Sequence, residues 1–461
     1  MQKPIYLSDL VLLRDIFSPE KKTLAIFDPY HRLTVAQNID FRLLQEPIFQ
    51  EDETLFYVDL TSGFNPDGNV ENALYAGLSI GEETIKIYFI NNPDGTMRWL
   101  FLADDKHAGY LSLYNTATWK GRFYKKLSHL AWKIGQEQRL ASGVIYLQQN
   151  LLERVKQLNG VMQHESVSFF TGTRGATRKT VMEIHDKSSC TGFVKIPLTK
   201  HSKSLVQNEI EMLTALGKYD FTTLSLPKLS KKINGNARIS NVKPGIVISA
   251  DRITSIHAKV MAELYNISHE RKMIMESVAW HTIINNMEFL KQELLFSNGL
   301  NTAKTKRIIY LLTKVYNSIS VTDEIAVSVS HGDFTPWNMY CDDQRLYVYD
   351  WELARNGIPM LFDLYHFTFQ STILQHQKKY IDVIKSVQKW QQTPLIKQIV
   401  HKYKINTALN YRLYLLFNVS YYLRQYINET ELLTQSQWMM DAWLEALEDI
   451  THIADNSATN V

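Results

Sequence analysis

Between Ser330 and Ala354 the chain reads SHGDFTPWNMYCDDQRLYVYDWELA, and few structures accept that pattern. Asn338–Cys341 and Arg345–Tyr349 alternate like the arms of a hairpin turned at Asp342-Asp343. A hairpin returns its second arm beside its first, so Asn338 and Asp350 converge from opposite strands. A carboxylate and an amide oxygen meeting there suit Mg²⁺, a hard ion that keeps waters and phosphate oxygens as its other ligands. Asp333, on the loop five residues before Asn338, is placed to accept the proton of an incoming hydroxyl.

The rest of the chain must carry this hairpin. Its 461 residues imply two or three domains, at about 100–200 residues each. In the first third, Ile85–Ile90 and Met97–Leu102 flank Asn92-Pro93-Asp94-Gly95, a hairpin signal, and Tyr110–Tyr114 reads as a third strand. Trp119–Gln136 reads as a helix, and the pattern over Gly143–Gln163 is also helical. A second unit begins near Ser166 with the strands SVSFF, KTVMEI and GFVKI and a helix over Leu205–Leu216. After Pro244-Gly245 helices are expected over 255–275, 279–297 and 303–318, then a β insertion over Ala326–Trp351, then more helix. This predicts an α+β chain with an accessory α/β domain over 1–165, a small β-rich lobe over 166–245 and a helical lobe over 246–461, with a site between the lobes.

His331-Gly332-Asp333 with Asn338, then Asp350-Trp351-Glu352, then Asp363-Leu364, occur in an order and spacing that resemble the aminoglycoside phosphotransferase and choline kinase superfamily. That superfamily is related to the protein kinases. The resemblance implies a protein-kinase-like two-lobed fold over residues 166–461 and transfer of the ATP γ-phosphate to a small-molecule hydroxyl with Mg²⁺. It implies that Asp333 is the catalytic carboxylate, that Asn338 and Asp350 hold the metal, that His331 braces the loop, and that Asp363 fixes it through hydrogen bonds. Glu352 matches the choline-kinase-like form of its motif, leaving open whether it touches metal or substrate. HGD in place of HRD, with no D-F-G or A-P-E, argues against a peptide substrate. A non-catalytic nucleotide-binding scaffold is the alternative.

The second unit should then hold ATP, and the residues allow a test. Lys195 lies between Val194 and Ile196 in a strand, where a lysine needs a partner. On the next helix, at 100° per residue, Glu209 falls within the stripe of Leu205, Leu213 and Leu216, whereas Glu211 points to the opposite face. Lys195 and Glu209 therefore read as the pair that steadies the nucleotide phosphates. Between the first two strands, Gly172, Thr173 and Gly175 are small enough to let backbone N–H groups approach phosphate. They do not form G-x-G-x-x-G, and a plain hairpin loop fits as well.

Composition narrows the partners. Fifty Lys+Arg against 47 Asp+Glu leave +3, too balanced for a polyanion binder, so no nucleic acid is expected. Two cysteines, Cys190 and Cys341, stand without metal-ligand spacing and suggest a reducing compartment. No stretch reaches the roughly 18 uncharged apolar residues of a membrane span, and no signal peptide is evident, so a cytoplasmic protein is expected. Tyr411, Tyr414, Tyr421 and Tyr422, with Trp337, Trp351, Trp438 and Trp443, either fill a helical core or build an aromatic cage for an amine. Acidic residues are not concentrated there, which disfavours a polycationic acceptor. A sugar, an amino alcohol or a lipid-linked intermediate stays open, as does GTP in place of ATP. The N-terminal domain is expected to shape the acceptor site or mediate self-association.

Overall fold

A computed structural model describes residues 5–17, 23–27, 33–34, 41–43, 53–57, 73–76, 84–92, 95–103, 105, 111, 119–172, 178–186, 189–233, 236–241, 252–296, 303–342, 344–427, 432 and 434–458. The chain is α+β and divides into two compact units, residues 1–214 with 227–241, and residues 215–226 with 242–461.

In the first unit twelve strands among the described residues form one sheet. Antiparallel ladders join, in order, Leu229–Ile233, Asn236–Ser240, Ser189–Pro197, Lys179–Asp186, Ser166–Phe170, Met97–Leu102, Thr84–Asn91 and Gly143–Gln148. Beyond them the sheet turns mixed, with Ala73–Ala76 parallel to Gly143–Gln148 and Glu53–Tyr57 parallel to Thr23–Phe27. Ser166–Phe170 bonds both to Met97–Leu102 and to Lys179–Asp186, so the ladder crosses residue 165 unbroken. The domain boundary expected there lies inside this unit. The hairpin at Asn92 turns through Gly95 at φ +88°, with the Gly95 amide donating to the Asn92 carbonyl. Tyr110–Tyr114, read as a strand, lies outside the described residues except for Leu111.

Gly143–Gln148 corrects the helical reading of 143–163. It is a strand, and the helix is Gln149–Leu158. Its side chains are buried on both faces. Ile145 and Leu147 pack with Leu10, Leu13 and Phe17 of the helix Leu7–Phe17, while Val144 and Tyr146 pack with Trp132 of the helix Trp119–Lys133. A strand covered on both faces has no polar alternation to betray it, so its apolar run is ambiguous with helix. Each such side chain withdrawn from water contributes about 1.5–3 kcal/mol, which outweighs local propensity.

In the second unit a three-stranded sheet has Glu324–Ser330 at its centre, between Glu270–Met273 and Arg355–Pro359. The helix expected to reach 275 stops at Ser268, because Glu270–Met273 pairs with the buried central strand. Met339–Cys341 and Leu346–Val348 form the hairpin, and Leu224–Ser225 runs parallel to its second arm. Helices Ser255–Ser268, Val278–Phe296, Ala303–Asn317, Phe362–Gln370, Tyr380–Gln391, Pro394–Lys402, Thr407–Tyr426 and Thr434–Ala458 make up most of the rest of this unit as described. The Asp333 loop leaves the end of the central strand at Ser330, so its first residue is anchored in the core.

Candidate active site

The loop after Ser330 is locked by hydrogen bonds to one buried carboxylate. Asp363, in the first turn of Phe362–Gln370, accepts from the Ser330 hydroxyl at 2.8 Å, the His331 amide at 2.8 Å and the Gly332 amide at 3.1 Å. Gly332 sits at φ +80°, and a Cβ there would lie 2.4 Å from the Leu353 carbonyl oxygen. The turn therefore requires glycine. His331 is fully buried against Trp351, with ring centroids 4.7 Å apart. Its Nδ1 accepts from the Asp333 amide at 3.2 Å, so its proton sits on Nε2, which donates to the Tyr349 carbonyl at 2.7 Å. His331 thus ties the loop to the second arm of the hairpin.

Asp333 is held from both sides. The Asn338 amide donates to Oδ2 at 2.8 Å and to the Asp333 carbonyl at 3.0 Å. His366 Nε2 lies 3.1 Å from Oδ1. With its nitrogen committed to Asp333, the Asn338 amide oxygen is the atom a cation would use. The Tyr349 amide donates to the Asn338 carbonyl at 2.8 Å, which sets Asn338 beside the residue preceding Asp350. Asp350 itself adopts φ 62°, ψ 60°, a left-handed conformation uncommon for a residue with a Cβ. Carboxylate oxygens of Asp350 and Glu352 lie within 4.8 Å of one another. Asn338, Asp350 and Glu352 therefore present only oxygen ligands, the donor set of a hard divalent cation.

His366 is a residue that the motif does not name. It lies one turn after Asp363 on the same helix face, which is the signal that points to it. It is buried, stacked at 6° on Tyr422, and its Nδ1 is 3.2 Å from Asn418 Oδ1. The Asn418 amide nitrogen is buried without a partner among the described residues. Turning that amide over puts its N–H on Nδ1, which leaves the ring proton on Nε2 to donate to Asp333.

A cavity opens beside this loop, lined among others by Arg355, His366, Tyr414, Phe417, Tyr421 and Tyr422. Burial drives the phenols of Tyr414 and Tyr422 well above their usual range, and neighbouring Asp363 and Asp333 add to it. Burial also raises Tyr421, opposed by Arg355 and reinforced by Glu352 and Asp333. These tyrosines are therefore neutral hydroxyl donors at neutral pH. Of the aromatics offered for a cage, Tyr414, Tyr421 and Tyr422 line the cavity, while Tyr411 turns to Tyr380, with hydroxyls 3.3 Å apart. Trp443 stacks behind Tyr422, Trp351 is buried on His331, Trp337 is exposed and Trp438 is half-buried.

In the first unit, Lys195 Nζ lies 2.6 Å from Glu209 Oε2, and Glu209 is fully buried. Glu211, on the other face of the helix Lys200–Leu216, is exposed and bonded to Gln207. Lys195 pairs with Val181 and Ala237 on the flanking strands. Gly172 has φ +72°, and a Cβ there would lie 2.3 Å from the Lys179 carbonyl, so the start of the glycine loop admits no side chain. Thr173 and Gly175 lie outside the described residues, as do Pro244 and Gly245. No helix among the described residues is long and apolar enough to cross a membrane.

No protein-family model matches the chain, and no curated protein matches it in sequence. Among solved structures it is similar to a GDP complex of an aminoglycoside 2'-phosphotransferase, with 13% identity over 68% of this chain and 99% of that one, at TM-score 0.42. It is similar to an amicoumacin kinase in complex with AMP-PNP, Ca²⁺ and Ami, with 14% identity over 66% and 93% of the two chains, at TM-score 0.40. A glucosamine kinase bound to glucosamine, ADP and inorganic phosphate gives 13% identity over 64% and 84%, at TM-score 0.39. At such identities no residue role carries over from those proteins to this one.

Proposed function

We propose that this chain is a small-molecule kinase, moving the γ-phosphate of a nucleoside triphosphate, ATP in the first instance, to an acceptor hydroxyl. The observation that carries the reading is the setting of Asp333. Its two carboxylate oxygens are fixed separately by Asn338 and His366, on a loop that Asp363 holds at three points. A carboxylate oriented so closely is built to orient a hydroxyl and take its proton. The acceptor oxygen bonds to the γ-phosphorus, the bond from that phosphorus to the bridging oxygen breaks, ADP leaves, and the proton passes to Asp333. Asn338 and Asp350, with Glu352 beside them, would hold Mg²⁺, which when bound neutralises charge on the phosphates. Lys195, steadied by Glu209, is the cation for the phosphates, and Gly172 opens the backbone of the glycine loop.

The cavity lining argues for the acceptor's chemistry. Arg355 contributes a fixed positive charge, its guanidinium 5.8 Å from the Phe417 ring. That charge opposes a polycationic acceptor, while the tyrosine hydroxyls and ring faces suit a neutral, hydroxyl-bearing molecule with an apolar side. A sugar carrying an apolar group fits that lining better than an amino alcohol, which is a cation at neutral pH.

Asp333→Asn keeps the size of the side chain and one of its two accepted hydrogen bonds, and removes the base. Acceptor-dependent ADP release should drop at least about 100-fold, the usual scale of a lost general base, with nucleotide affinity by calorimetry unchanged. Equal turnover in the variant would falsify the assignment.

A further inference from the structure

Away from the Asp333 loop, the strands Lys179–Asp186 and Ser189–Pro197 bring three unlike donor side chains together. Glu183 pairs with Phe193 and Ile184 with Gly192, but His185 pairs with Cys190, because the register shifts between Ile184 and His185. Thr191 is the extra residue of that bulge. In an unbroken ladder Thr191 would stand opposite His185 and Cys190 would fall on the other face. The bulge is therefore what puts a thiol beside the imidazole. Glu183, two residues before His185, shares its face by the period of the strand.

One carboxylate oxygen, one imidazole nitrogen and the thiol sulfur all lie within 4.8 Å of one another. His185 Nε2 and Glu183 Oε2 are 3.6 Å apart. Two ligands bonded at about 2.0–2.2 Å to one tetrahedral ion stand about 3.4 Å from each other, so the pair already has the spacing of two ligands on one metal. Glu183 is 0% and His185 4% exposed, and Cys190 is half-buried, so the cluster is shielded rather than spread over the surface. Oxygen, nitrogen and sulfur donors together select a borderline ion such as Zn²⁺ over Mg²⁺ or Ca²⁺. The fourth position falls to water or to the Ser168 hydroxyl, whose oxygen is 3.3 Å from the same imidazole nitrogen.

We propose that Glu183, His185 and Cys190 bind a Zn²⁺-type ion that staples these two strands, the second of which carries Lys195. Binding releases the thiol proton to solvent and requires neutral imidazole, so affinity rises with pH. The site is independent of the kinase reading, and its test needs no activity.

The full chain, stripped with chelator, is titrated with Co²⁺ and followed by visible absorption. Wild type should take up one ion with a thiolate-to-cobalt charge-transfer band, and Zn²⁺ should abolish the band. Cys190→Ala should lose the band. Cys341→Ala, which removes the other thiol, should keep it. His185→Gln should weaken binding, and if that variant does not fold, the half-buried Cys190 position decides alone. Absence of the band in folded wild type, its survival in Cys190→Ala, or its loss only in Cys341→Ala would each overturn the site.

Discussion

At the scale of the residue, the site depends on single atoms whose partners lie far away in the chain. Asp333 and Asn338 stand out as candidates in the sequence because both sit in one short motif. His366 does not, because its role exists only when the helix Phe362–Gln370 brings Nε2 to 3.1 Å from the carboxylate. His366 is a positioning residue, since it touches Asp333 and not the transferred group. His366→Ala should lower kcat by roughly 10–100-fold, the scale of a misplaced reacting group, with the nucleotide KM near its original value. His366→Gln, whose amide can donate from a similar position, should recover part of that loss. A purely structural role would depress both variants alike and disturb their circular dichroism.

At the scale of the element, the hairpin was legible because its arms alternate about a turn. Two misread segments show what hides an element. Gly143–Gln148 lost its alternation to burial on both faces, and Glu270–Met273 left its helix to pair with a buried strand. The hairpin also gains a neighbour that periodicity does not show. Glu263, on the helix Ser255–Ser268, accepts the amides of Thr222, Thr223 and Leu224 at 3.0, 2.8 and 2.9 Å, which sets Leu224–Ser225 against Leu346–Val348. Burial alone would raise the Glu263 carboxyl, but the bonds from Thr222, Leu224 and Thr223 outweigh it and hold it low. Glu263→Gln weakens four charge-assisted bonds, the Thr222 hydroxyl's among them, at a half-buried position. It should lower the thermal midpoint by a few degrees, on the order of 1 kcal/mol, at neutral pH. Folded carboxyl below unfolded carboxyl means stability present above the usual glutamate range and lost in acid. The difference between variant and wild type should therefore shrink as pH falls below about 4.5. A constant gap down to pH 3 would show that packing, not the carboxylate, holds the segment.

At the scale of the whole molecule, one buried histidine links stability to pH. His257 accepts the Thr254 amide on Nδ1 at 3.0 Å, while Nε2 is buried with no partner among the described residues, between Phe334 and Phe367. Burial pushes its pKa down from 6.5 to about 4. The unfolded chain takes up this proton first, so stability is complete above pH 6.5 and falls toward pH 4 by about 1.4 kcal/mol per unit. Thermal midpoints of wild type should drop more steeply over that window than those of His257→Gln; parallel curves would remove His257 as the cause. The sequence by itself determined the mixed α+β class and the hairpin, and it singled out Asp333, Asn338, Asp350 and Asp363 as candidates. These rest on local alternation, turn chemistry and short spacings, which neighbouring residues settle among themselves. Only the tertiary structure decided that Ser166–Phe170 continues the sheet of the first third, that His366 faces Asp333, and that a bulge sets Cys190 beside His185. Those depend on strand order and register, which are set by the burial of side chains distant in the chain, and no local pattern records which distant partner wins.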